Sequence, residues 1–310
     1  MAETNGFDRE FGRIDGILAD MRQTSRPILK MLSETAETSS LPDEDRLAAE
    51  ETQMAAEIPE RRAAEAALAR LVSGLAEDIA LRKTEFDNRE QPTRGEALIG
   101  YLSKAAMRRR VEARAASPAA LRHLEKLLDR GDALAGLLAG ERDVLVEERK
   151  EGESDLGTFI DRRAEITQSL RGEDGETMSG VEAAAKMARV ASTFDRFIGE
   201  LNLRINACNV LRHKLMADIE DLLILYQVVF DASRRNDSVS FEPERFPHLT
   251  PEIERFARHM LTIRGLNARR QRADQAFMEF FSIPAAGENA PAQQDERKPA
   301  KAAGPRLSRR

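Results

Sequence analysis

Four histidines, one cysteine and two runs of arginine are the residues of this 310-residue chain whose types could do chemistry. The histidines are His123, His213, His248 and His259. None stands in a His-Glu-x-x-His or Glu-x-x-His spacing, so neither a zinc hydrolase helix nor a di-iron carboxylate bundle is indicated. Cys208 and His213 are five positions apart. On a helix that turns them about 140° from one another, too far round to hold one metal jointly. Gly172, Gly175 and Gly180 lack the spacing of a phosphate-binding loop, and they follow a helical pattern, not a strand. No metal, cofactor or catalytic set is expected, and the chain reads as a non-enzyme.

The arginines point elsewhere. Arg108, Arg109, Arg110 and Arg114 crowd one short helical stretch. Arg297, Lys298, Lys301, Arg306, Arg309 and Arg310 crowd the C-terminus. Guanidinium forks suit phosphate and carboxylate, so both clusters are candidate sites for an anionic partner. Cations also suit a helix C-terminus, which is the structural reading of the first cluster. The tail has no aromatic residue, which disfavours stacking on nucleic-acid bases. A net charge of −6 disfavours a general nucleic-acid binder. The 39 arginines outnumber the 9 lysines, but they are spread along the chain and mixed with acids, so the ratio marks no site. A polar line of Asn202, Asn206, Asn209 and His213 remains. Such a line makes interhelical hydrogen bonds, faces water, or holds a polar ligand between helices.

These residues need elements to position them, and the apolar spacing is helical throughout. Steps of four and three connect Met187, Ala191, Phe194, Ile198, Leu201, Ile205, Cys208, Arg212, Leu215, Ile219, Leu222, Tyr226 and Val229. A strand repeats every two residues and cannot produce this pattern. A helix of that length spans on the order of 60 Å. Arg212 alone breaks the stripe with a charge, at a heptad position a where a polar residue can set register and partner. Ile at a and Leu at d suit a two-stranded coiled coil, yet Val190, Phe197, Leu211 and Leu225 at g and Met216, Leu223 and Phe230 at e widen the apolar face. So wide a face suits a core helix flanked by two or more neighbours.

Other segments read likewise. Phe7 to Leu32 is helical, interrupted at Ser25 and Pro27. Ser40-Leu41-Pro42-Asp43 looks like a helix start. A second long pattern runs from about 43 to 89, with charges intruding between Ile58 and Leu68 and Pro59 bending it. Pro92 breaks the chain, and Thr93 caps a third helix bearing Leu98, Ile99, Leu102 and Met107. Ser117-Pro118 starts another helix. Its charged segment Glu141 to Asp155 is either an exposed middle or a turn, with Gly152 a weak turn signal. Arg171 to Gly180 is a loop. Val239 to Phe241 is the one candidate strand, and Thr250-Pro251 begins the last helix.

The expected fold is therefore all-α: an elongated bundle of long antiparallel helices with coiled-coil-like packing and a disordered C-terminal tail. The expected organisation is an N-terminal helical segment over 1–38, a long-helix bundle over 39–283 and a disordered basic tail over 284–310. A single cysteine excludes an intrachain disulfide and fits a reducing cytoplasm. The N-terminus lacks the charged and apolar regions of a secretory signal. The most apolar stretch, Leu222 to Phe230, is nine residues, about half a membrane span. The expected function is a cytoplasmic protein–protein interaction or scaffold protein acting through helix faces, with homo-oligomerisation open. The alternative is a coiled-coil protein held to nucleic acid or an anionic membrane surface by its arginine-rich patches. Arg212 is the candidate specificity element of the seam.

Overall fold

Long apolar stripes have become long helices. The computed structural model describes residues 2–24, 26–38, 40–115, 118–172, 180–234, 243–251, 253–254 and 263–282. Among these there are nine α-helices, one turn of 3-10 helix and no strand. The helices are α1 (Ala2–Thr24), α2 (Arg26–Thr38), α3 (Glu44–Glu90), α4 (Arg94–Leu102), α5 (Lys104–Ala115), α6 (Pro118–Asp161), α7 (Arg163–Gly172), α8 (Gly180–Arg234) and α9 (Ile263–Ser282). Residues 239–241, Ser117, His259 and the tail from 283 onwards lie outside the described residues.

α8 is the axis. Phe194, Leu201, Leu211, Leu215, Ile219 and Leu222 are buried along it, and α6, α3 and α9 pack around it. Several flanking helices account for the wide apolar face. Cross-contacts fix the directions. Arg149 reaches Asn202 and Arg142 reaches Asn209, so α6 runs antiparallel to α8. Arg189 reaches Glu51, Arg61 reaches Glu200 and Lys83 reaches Asp221, so α3 runs parallel to α8. Arg269 on Glu220 and Lys214 on Asp274 set α9 antiparallel to α8. α1 packs on α3 and α2 on α6; Arg22 near the end of α1 meets Glu141, and Arg162 donates to the carbonyls of Ala36 and Glu37. That last contact places a cation on the negative C-terminal end of α2.

Small residues set the spacing. A Cβ on Gly131 would lie 2.5 Å from Ile219 Cδ1 and 3.6 Å from Leu249 Cδ1, so glycine lets α6 approach α8 here.

The interior is two apolar cores separated by a layer of charge. One core joins Ile14, Leu18, Leu68, Val72, Leu138 and Leu211 with the residues beyond them. The other joins Ile28, Leu32, Leu145, Phe159, Leu201 and Ile205. Between them, Glu141 takes Arg22 at 2.8 Å from one side and Arg204 at 2.8 Å from the other. Arg61, paired with Glu200, and the largely buried Glu65 extend this layer on α3.

Three local expectations need correction. The second long helix begins at Glu44, not at Ser40. Asp43 holds the cap position without a side-chain cap bond, and the Ser40 hydroxyl meets Thr38 instead. Residues 118–161 form one helix, and the break falls at Arg162, not near Gly152. Gly152 is buried because Ile198 and Leu29 close over it. The middle of that helix is two-faced: Asp143, Glu147 and Lys150 are exposed, as one of the two readings has it, while Glu141 and Leu145 are buried. The expected third helix is two helices, α4 and α5, divided at Ser103.

Candidate interaction surface

The division at Ser103 reverses the chain. Ser103 is extended, at φ −156° and ψ 108°, while its N–H still donates to the Ile99 carbonyl at 2.8 Å. Its hydroxyl accepts from the Ala106 N–H, so one residue ends α4 and starts α5. In a continuous helix Glu96 and Arg114 would be separated by about 27 Å. Here Arg114 Nη2 lies 3.0 Å from the Glu96 carboxylate and also donates to the Gln91 carbonyl at 2.8 Å. α4 and α5 are thus a folded-back hairpin, locked at its base.

The lock follows from residue types. Thr93 and Glu96 form a reciprocal capping box, in which the Glu96 carboxylate accepts from the Thr93 N–H and the Thr93 hydroxyl accepts from the Glu96 N–H. The Thr93 N–H and the Arg114 guanidinium hold the Glu96 carboxyl below the ordinary carboxylate range. Gly100 leaves room for Met107, whose Sδ would lie 2.6 Å from any Cβ there. α5 rests on α3 and α8 with Val111 buried, while α4 packs chiefly on α5 and buries none of its own residues.

An apolar face is therefore left in water. Leu98 is 68% exposed, and Tyr101 and Leu102 are each 90% exposed. Their i, i+3, i+4 spacing puts them on one side of α4. Lys104, just past the turn, and Arg108, Arg109 and Arg110 on α5 are exposed. Among the described residues none of these four cations has a carboxylate partner. The arginine cluster is thus divided in role: Arg114 locks the hairpin, and Arg108 to Arg110 face solvent.

The other sequence candidates lie elsewhere. Arg297, Lys298, Lys301, Arg306, Arg309 and Arg310 fall outside the described residues. Arg212 is exposed at an open cleft of about 470 Å³ between α8 and α9, beside His213, Met216, Arg269 and Arg272. Arg269 is committed to Glu220 at 2.6 Å. Arg212 opens into this cleft although Cys208, Leu215 and Ile219, its neighbours on the heptad line, are buried. Asn202 and Asn209 accept from Arg149 and Arg142, while Asn206 and His213 face outwards. Of the open readings of the polar line, interhelical bonding and hydration are what the geometry shows.

Cys208 is buried, and burial, with Glu141 nearby, pushes its thiol up to about 12. Among the described residues no three His, Cys, Asp or Glu side chains come together as a metal-ligand group. A cavity of about 100 Å³ lies between Met54, Ile58, Phe197 and Leu201, walled by the paired Arg61 and Glu200. Among the described residues no helix is long and apolar enough to cross a membrane.

No protein-family model, curated protein or solved structure matches this chain. The site therefore rests on its own chemistry. The hairpin combines apolar area, which gains by leaving water, with cations that attract a negative surface. Sequence reasoning found the cations but not the apolar face. Leu98 and Leu102 read only as apolar residues of one third helix, and the reversal at Ser103 was not foreseen. Gly95, Gly100 and Ser103 within nine residues were the available signal, since each disfavours an uninterrupted helix.

Proposed function

We propose that this protein is an interaction or scaffold protein that works through helical surfaces and not by catalysis, with the α4–α5 hairpin as its principal contact. One observation carries the reading: Leu98, Tyr101 and Leu102 form a contiguous exposed apolar face at the end of a locked hairpin. Exposed large apolar side chains scattered singly need no explanation, but a contiguous group beside exposed cations does. The interior supports the same reading, because the buried charges Glu141, Arg204 and Glu220 are paired across helices. The C-terminal basic tail is a second proposed contact, electrostatic in kind. A cytoplasmic location belongs to the proposal too, supported by a single cysteine that is kept as a buried thiol.

The test is co-purification from the native host with full-length protein and the double variant Tyr101→Ser, Leu102→Ser. Both side chains are exposed, so the variant should keep its melting temperature. The reading expects the variant to lose partners that the parent retains. Recovery of the same partners by both forms would overturn it. A change in oligomeric state between the two forms would identify a second copy of the chain as the partner.

A further inference from the structure

Resting on that reading, we infer that the hairpin's partner is an anionic lipid surface, which takes Leu98, Tyr101 and Leu102 into its interfacial layer and Lys104, Arg108, Arg109 and Arg110 among its headgroups. Shape is the first argument. The apolar face lies on an outward-turned helix end, with its two most exposed side chains immediately before the turn. A protein partner would need a preformed pocket for that tip, whereas a fluid surface adapts to it.

Residue chemistry is the second argument. Tyr and Leu beside Lys and Arg is the combination that settles at a membrane interface, with apolar bodies down and cations at the headgroup level. A nucleic acid would press three uncharged side chains against phosphate, and Tyr101 is the only aromatic residue of the hairpin.

Charge distribution is the third. Residues 94–115 hold six basic and two acidic residues in a chain of net charge −6, so the rest of the molecule is more acidic than the whole. An anionic surface would attract the hairpin and repel the body, which orients the protein tip-down.

The structure also limits the depth. The Glu96–Arg114 lock lies six residues from Leu102. That is about 9 Å along α4, and an ion pair resists entering hydrocarbon, so the contact is peripheral.

The experiment is co-sedimentation of the full-length protein with two kinds of vesicle, phosphatidylcholine alone and phosphatidylcholine with about one third phosphatidylserine. It compares the parent, Tyr101→Ser with Leu102→Ser, and Arg108→Glu with Arg109→Glu and Arg110→Glu. Glu96 and Arg114 are left intact to preserve the lock. The inference expects binding to the anionic vesicles only, weakened at least about tenfold by each variant and by raised salt. Absence of vesicle binding, with partner proteins still lost in the Tyr101, Leu102 variant, would overturn the lipid assignment and leave the proposed function standing. Loss of neither vesicles nor partners would overturn both. Vesicle binding that survives both variants but disappears when 285–310 are deleted would assign the membrane contact to the tail and overturn the hairpin's role.

Discussion

Glu141 on α6 accepts a 2.8 Å hydrogen bond from Arg204 on α8, with both side chains nearly out of solvent between the two cores. Its other oxygen accepts from Arg22 on α1 at 2.8 Å. One carboxylate therefore joins three helices. Glu141→Ala would leave the buried Arg204 guanidinium without a partner. The expected loss is about 3 kcal/mol or more, read from urea denaturation at neutral pH. A loss under 1 kcal/mol would mean that water reaches Arg204.

Asp218 should behave oppositely. Burial raises its carboxyl above the usual value even though Lys214 donates to it at 2.8 Å. A raised carboxyl means that the folded state holds the proton more readily than the unfolded chain. Its favourable contribution is then present in acid and lost as pH rises through the raised folded value. Asp218→Asn removes the buried charge while Lys214 keeps Asp274 at 2.6 Å. At pH 7 the variant should lie within about 1 kcal/mol of the parent, on the stabilising side. The difference should shrink on acidification, as measured by denaturation at a series of pH values.

Cys208 should be inert while the chain is folded. The thiolate is the reactive species, and a thiol pushed up to about 12 by burial holds almost none at pH 8. A thiol-reactive dye should label the native protein only at the rate of unfolding, and the denatured protein promptly. Fast labelling of native protein would show that the seam around Cys208 opens locally.

Glu96 gives the hairpin a pH dependence of its own. Its folded-state carboxyl is lowered, chiefly by the Thr93 N–H and then by Arg114. The stabilisation is present above the ordinary carboxylate range and lost as pH falls through the lowered folded value. Glu96→Gln should speed amide hydrogen exchange over residues 94–102 at neutral pH. Exchange in α6 and α8 should not change, because α4 packs chiefly on α5.

The helical stripes were legible because a heptad line is a direct record of which side chains meet. The charged layer was half legible. The charges between Ile58 and Leu68 read as intrusions into an apolar face. Nothing in one helix says that its charges lie level with those of its neighbours, so the segment from Glu141 read as an exposed middle or a turn, and Glu141 is buried. Helix directions were not legible either. Short connections suggested antiparallel neighbours, yet α3 runs parallel to α8 because other helices intervene in the chain. The hairpin was lost at a single residue. Ser103 caps in both directions, and a pattern of apolar spacing does not register a reversal that leaves the spacing intact.

The parallel pairing of α3 with α8 carries a cost in time. Arg61 finds Glu200 across 139 positions, and Arg189 finds Glu51 across 138. α1 waits nearly as long for α6, since Arg22 and Glu141 are 119 apart. Contacts so distant in sequence make assembly slower than in a bundle of consecutive hairpins. On the ribosome, Leu68, Val72 and Leu75 emerge long before Leu215 and Ile219 exist to cover them. At ordinary elongation rates the interval is on the order of ten seconds. For that time the nascent chain displays a long apolar stripe, which makes it a substrate for whatever shields unfinished helices in its host.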